Sequence, residues 1–178
     1  MNERLRLTSG MSPGDVDAIE SVASFEELVG VEYAGLYSAL CLITRDRGEA
    51  EDLAQEAFLR VWERWDRVRG MDHPTGYLYR TALNLYRKRL RRASVAVRRA
   101  VGRSGRRDEL DDVETEDQVV RALGTLTPRQ RASIVLVELL DYSSEDAAAL
   151  MGIKAATVRV LASQARAALR RNAGETDE

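Results

Sequence analysis

The chain is expected to be all-α: two small helical domains joined by a flexible linker, the C-terminal one a helix-turn-helix. Apolar residues recur at three- and four-residue steps through long stretches rich in Ala, Leu, Arg and Glu, with only 3 prolines in 178 residues. Charge falls in blocks: from Arg87 to Arg107 there are many Arg and Lys and no acid, and Asp108 to Asp117 holds Asp108, Glu109, Asp111, Asp112, Glu114, Glu116 and Asp117 and no base. A segment with that change of sign and no apolar period separates two periodic halves. Finally, Ser143 to Arg171 reads as two helices hinged at Met151-Gly152-Ile153. The formal net charge of -2 argues by itself against a nucleic-acid binder, but the arrangement of the charge is more informative than its sum.

In chain order, residues 1–23 mix Ser, Gly, Pro, Asp and Glu without apolar period and read as a tail. The first helix spans Phe25 to about Arg45, with Phe25, Leu28, Val29, Tyr33, Leu36, Tyr37, Leu40 and Ile43 on one face. Cys41 beside that face reads as a small buried thiol. The second helix is expected from about Gly48 to Val68, burying Ala50, Leu53, Ala54, Ala57, Phe58, Val61, Trp62 and Trp65. Its other side carries Glu49, Asp52, Gln55, Glu56, Arg60 and Glu63. By pattern alone that side is a solvated face with favourable spacings such as Glu56 to Arg60. A short loop follows, from Asp66 to His73.

Pro74 opens the third helix, where a missing N–H costs nothing. Tyr77, Leu78, Thr81, Ala82, Leu85 and Leu90 face inward, while Tyr79, Arg80, Asn84, Arg87, Lys88, Arg91 and Arg92 fall outward. Rings can stack on bases, Asn can pair with base edges, and cations neutralise phosphates. A solvated face would interleave acids, and this one has none. Nucleic acid is the expected partner.

Residues 93–117 form the linker; its basic half can extend the preceding helix until Gly102 and Gly105 stop it. Fully extended, about 25 residues reach on the order of 80 Å, enough to set two modules more than two duplex turns apart. In the last module, Thr127-Pro128-Arg129-Gln130 has the form of a capping box. The helix it opens holds Ile134, Val135, Val137, Leu139 and Leu140. Ser143 caps the next helix, with Glu145 and Asp146 in its first turn, and Gly152 ends it. The final helix, from about Ala155 to Arg171, puts Val158, Leu161, Ala165, Ala168 and Leu169 near one face.

Other function classes find little support. One His and one Cys, in different segments, supply neither a nucleophile–base pair nor a metal cluster, so no catalytic residue, metal or cofactor is expected. No run of apolar residues approaches a membrane span, and the start Met1-Asn2-Glu3-Arg4 lacks a signal-peptide core. A single cysteine fits a reducing, cytoplasmic location.

Several separated motifs resemble one family, the bacterial RNA polymerase sigma factors of the extracytoplasmic-function, or group 4, type. AEDLAQEAFLRVWERW, from Ala50, resembles the family's second conserved region. GYLYRTALNLYRKRLRR, from Gly76, resembles its promoter-melting and minus-ten part, and ALGTLTPRQRASIVLVELLDYSSEDAAALMGIKAATVRVLASQARAALR, from Ala122, its fourth region. The resemblance implies region 2 over residues 24–92 and region 4 over 118–172, with no third domain between. It implies a subunit that gives core RNA polymerase its promoter specificity. It turns the solvated face of the second helix into a docking face, with Asp52, Gln55, Glu56, Leu59 and Arg60 meeting the polymerase's largest subunits. It also implies minus-ten contact by Tyr79, Arg80, Asn84, Arg87, Lys88 and Arg91, and minus-thirty-five contact by Lys154, Thr157, Arg159, Ser163 and Gln164. The acidic linker would lie in a basic polymerase channel as a mimic of RNA. An anti-sigma factor clamped between the two domains is a further partner that the linker length permits; membrane insertion is not expected.

The sequence departs from the family pattern in places. Lys88 stands where Asp is usual, Asp141 and Ala156 where Gly is usual, and Lys154 where a capping Ser is usual. In the recognition helix Val160 replaces Ser, and Leu161 and Gln164 replace Arg. Weaker or altered minus-thirty-five reading is therefore expected, with heavier reliance on the third helix. A DNA-binding regulator that keeps the fold without driving transcription is the alternative; the docking face argues against it.

Overall fold

The computed structural model describes residues 24–99 and 118–174. The expected tail, 1–23, and most of the linker, with its acidic tract, lie outside the described residues.

Helix α1 (Phe25–Thr44) starts on Ser24, whose hydroxyl accepts from the Glu27 N–H at 3.1 Å, and Glu26 and Glu27 occupy the positive end of its dipole. It stops at Arg45, which takes a left-handed φ of 61° and returns its N–H to the Cys41 carbonyl. The next residue caps again: the Asp46 carboxylate accepts from Glu49 at 2.7 Å to open α2 (Arg47–Trp62). By length and mean hydropathy α1 would be long and apolar enough to cross a membrane, but Glu26, Glu27 and Glu32 interrupt it, so its apolar run stays short of a span as expected. Here Leu28, Leu36, Leu40 and Ile43 are spent on the protein core instead.

The second helix ends one and a half turns earlier than its periodicity suggested. A break at Arg64 (φ -123°, ψ 19°) separates α2 from the single turn α3 (Trp65–Val68), inside the segment expected to be partly loop. Nothing in Glu63-Arg64 forces this break; it lets Val68 reach full burial. The cost falls on Trp62, expected in the core but 53% exposed, its ring lying 4.9 Å from that of Phe25. Tyr33, also expected inward, is exposed and stacks on Tyr37 and Phe58. Helix α4 (Pro74–Arg99) runs beyond Arg92 into the basic half of the expected linker.

The second half comprises α5 (Gln118–Gly124), α6 (Pro128–Ile134), a π-helical turn over Val135–Leu139, α7 (Ser144–Met151) and α8 (Ala155–Gly174). The capping box forms as its residues dictate: Thr127 accepts from the Gln130 N–H, and the Gln130 side chain accepts from the Thr127 N–H at 3.0 Å. Ser143 caps α7 and Gly152 closes it at φ 63°. The π turn widens the helix by a residue, with the Leu140 N–H reaching the Val135 carbonyl. That shift buries Val135 and Leu136 and leaves Leu139, expected inward, 52% exposed.

The two halves lie against one another, far inside the reach of an extended linker. One core joins α1, α2 and α4 to Val135, Leu136, Ala147, Leu150, Met151 and Val158 of the second half. A smaller cluster of Leu123, Leu126, Ile134 and Ala165 ties α5, α6 and α8. Helix α4 therefore has buried residues on two sides: Leu78, Ala82 and Leu85 as expected, and Tyr79, Leu83 and Tyr86 in addition. At the other end of the seam Arg131 is buried, its Nε donating to the Ile43 carbonyl at 3.0 Å and its Nη1 to those of Leu126 and Leu123. Ile43 lies at the negative end of α1, where a guanidinium is favoured.

Candidate functional site

On α2, burial of Leu53, Ala54, Ala57, Phe58 and Val61 fixes one face to the core and turns Asp52, Gln55, Glu56, Leu59 and Arg60 outward together. Leu59, 58% exposed, gives the stripe an apolar centre. Its charges are already paired: Arg60 reaches Glu56 at 2.7 Å, and Arg89 crosses from α4 to Glu56 at 3.4 Å and Asp52 at 3.7 Å. Exposed pairs of this kind contribute about 0–1 kcal/mol, so a partner can rearrange them. Arg89 escaped the sequence reading because it joins the stripe across helices, which spacing within one helix does not register.

On α4, Arg80, Asn84, Lys88 and Arg91 are exposed. Arg87 is half-buried: one N–H donates to the Met151 carbonyl, another to the Asn84 Oδ1, and its guanidinium lies against Gly152 at the helix-turn-helix hinge. A Cβ at Gly152 would come within 2.6 Å of that guanidinium. Burial lowers the Arg87 pKa, and Arg91, Arg129 and Arg80 lower it further, so α6 adds a cation to the same region. Tyr79, expected outward, is only 6% exposed; α7 packs over this part of α4 and sets the Tyr142 ring 6.1 Å from it. Burial pushes the Tyr79 phenol well above its ordinary range, with Glu32 and Tyr142 adding to the shift. Tyr142 is pushed up to about 12, first by burial and then by Glu32 and Asp146. Glu32 is itself raised by burial, against the opposing hydrogen bond from Thr75 at 2.9 Å.

The helix-turn-helix presents Lys154, Thr157, Arg159, Ser163 and Gln164 to solvent, together with Val160 at 54%. Val158, Ala162 and Ala165 on the opposite side hold α8 in place. Arg159 pairs with Glu145 of α7 at 2.9 Å, and the Gln164 side-chain oxygen accepts from Gln130 at 3.3 Å. An ammonium has no acceptor, so Lys154 cannot cap α8 with its side chain; its carbonyl accepts from Thr157 and Val158.

Among the described residues no three His, Cys, Asp or Glu side chains converge as metal ligands. Burial raises the Cys41 thiol pKa, which disfavours a reactive thiolate.

The structure thus brings the five residues expected to dock into one patch, all six expected minus-ten residues onto α4 with Tyr79 buried, and the expected minus-thirty-five residues onto the outer face of α8 and the residue that precedes it. A family described as Sigma-70 region 2 matches residues 28–95, and one described as Sigma-70, region 4 matches residues 116–169. The RNA polymerase sigma-E factor of Streptomyces avermitilis is 30% identical over 154 residues, covering 84% of this chain and 84% of that protein. The ECF RNA polymerase sigma factor SigM of Mycobacterium tuberculosis is 31% identical over 154 residues, covering 85% of this chain and 78% of that protein. The fold matches the sigma factor RpoE of Bartonella quintana, solved in complex with the anti-sigma factor NepR, with a TM-score of 0.68 at 22% identity over 83% of this chain and 94% of that one. Two matched regions in order, on a helical scaffold with their faces turned outward, place this chain in the sigma-70 family, among the extracytoplasmic-function RNA polymerase sigma factors.

Proposed function

We propose that the chain binds core RNA polymerase through Asp52, Gln55, Glu56, Leu59 and Arg60 and directs initiation at promoters that its α4 and α8 faces select. Residues 24–92 act as region 2, 93–117 as the linker, and 118–172 as region 4. The observation that carries this reading is the α2 stripe: five neighbouring side chains stay at the surface, carboxylates around an exposed leucine, on a scaffold whose other faces offer DNA-reading groups. Arg80, Asn84, Arg87, Lys88 and Arg91 contact the minus-ten strand, and Lys154, Thr157, Arg159, Ser163 and Gln164 meet the minus-thirty-five groove. Tyr79 can join them only when the modules separate. The work is binding and positioning rather than catalysis, and its place is the cytoplasm, with the polymerase. An anti-sigma protein, such as the one bound to the Bartonella structure, is a fitting regulator.

Run-off transcription with purified chain, core polymerase and the DNA upstream of its own coding sequence tests the reading. Specific transcripts are expected, and failure to bind core polymerase overturns it. Binding without initiation would favour a regulator that keeps the fold, a reading motivated by the arginine-poor face of α8.

A further inference from the structure

The carboxylates of the α2 stripe are held from behind by a side chain of another helix. Leu85 and Tyr86 are buried on the core side of α4, and Arg89 follows Leu85 by one turn. Its guanidinium forks across two residues of α2: Nη1 lies 3.7 Å from a carboxylate oxygen of Asp52, and Nη2 lies 3.4 Å from Oε2 of Glu56. The other oxygen of Glu56 is taken by Arg60 at 2.7 Å, and the Gln55 amide donates to Glu51 at 3.2 Å. Asp52, Gln55, Glu56 and Arg60 each have a neighbour that orders them in the free chain. Arg89 itself is set back, its side chain 32% exposed against 70% for that of Asp52. Resting on the docking reading of α2 above, we infer that Arg89 is a positioning residue for polymerase binding: it holds Asp52 and Glu56 convergent without itself meeting the partner.

The need for such a residue follows from spacing. Asp52 and Glu56 stand four residues apart on one helix, where like charges repel. A guanidinium lying on both offsets that repulsion, and its planar fork serves two acceptors at once, as a lysine ammonium does not. The hold leaves the carboxylates able to bind. Each has two oxygens and about four lone-pair sites, so Glu56 can still accept from incoming donors, and the more exposed Asp52 more readily. Side chains ordered beforehand lose less freedom on association. Exposed pairs of this strength bias a side chain by about fivefold at most, which sets the size of the effect.

Binding of the full chain to core polymerase, measured without DNA so that the outer face of α4 takes no part, tests this in a double-mutant cycle. Arg89→Met keeps an aliphatic stem and removes the fork; it is expected to weaken binding about fivefold. In a background of Asp52→Asn with Glu56→Gln the same change is expected to cost nothing, because uncharged amides need no cation between them. Affinity unchanged or improved for Arg89→Met in the native background overturns the inference. So does an equal loss in both backgrounds, which direct contact with polymerase or a merely structural role would give. Should Arg89→Met not fold, Arg89→Lys runs the same cycle: a smaller loss is expected, again confined to the acidic background, and an equal loss in both overturns the inference as before. If instead Asp52→Asn with Glu56→Gln binds core polymerase as tightly as the parent, the docking reading itself fails, and the positioning role with it.

Discussion

At the scale of single residues, three side chains sit where backbone or dielectric works against them. Asp141 adopts φ 52°, a left-handed conformation that glycine takes without strain. This explains why the family pattern has Gly there, and Asp141→Gly is expected to raise stability by about 0.5–1 kcal/mol, read as a higher urea midpoint. The same turn delivers Tyr142 to α4, so the gain should come without loss of the contact between Tyr142 and Tyr79. Lys154 stands at a helix start where only an oxygen can accept from the free N–H groups; Lys154→Ser is expected to add about 0.5–1 kcal/mol. Glu32 is raised by burial, so between the ordinary carboxylate value of 4.5 and its higher folded value the native chain holds more protons than the unfolded one. Its contribution to stability is therefore complete below 4.5 and lost as pH rises through that window. Glu32→Gln, which can still accept from Thr75, should gain on the parent as pH goes from below that value to neutrality; a constant difference in urea midpoint would contradict this.

At the scale of helices, the α2 stripe proposed for docking and the α8 face proposed for reading DNA differ in how legible they were. The α2 stripe was readable because Leu53, Ala54, Ala57, Phe58 and Val61 mark the buried side so regularly that its complement is fixed. Replacing Asp52 and Glu56 together by Lys should weaken core-polymerase binding by at least about 100-fold, since like-charge juxtaposition at an interface costs several kcal/mol. Circular dichroism should be unchanged, because only exposed ion pairs are lost. On α8 the sequence located the face but not its strength: Val160 is exposed where the family pattern has a hydroxyl. Val160→Ser with Gln164→Arg is expected to tighten binding to promoter duplex, by about 1–3 kcal/mol if a bidentate base contact is restored. Unchanged affinity would mean that α8 is not the reading helix. Helix α4 was misjudged on one side. Tyr79, Leu83 and Tyr86 sit around the helix from its inward stripe, and a helix apolar over more than one stripe is buried on more than one side. That signal was present, but cations interleaved with it made the second side look open.

At the scale of the molecule, the seam was illegible because it depends on partners far apart in the chain. Arg131 gave no hint in its own neighbourhood; its role appears only when α1 supplies the Ile43 carbonyl. Arg131→Met should destabilise the chain by about 2–3 kcal/mol, read as a lower urea midpoint, because it leaves buried carbonyls without a donor. A shared core also predicts one cooperative thermal transition rather than two; separate transitions in calorimetry would show the halves melting independently. The break between α2 and α3 has a practical consequence. The chain has 2 tryptophans, both at this break, and Trp62 is half-exposed one turn beyond Leu59 at the end of the α2 stripe proposed for docking. Excited at their absorption edge, these indoles form an intrinsic optical probe at the end of the molecule proposed to face polymerase, blind to the helix-turn-helix half. Transfer of Trp62 from water to a protein contact would shift its emission to shorter wavelength, so docking can be followed in real time without a label.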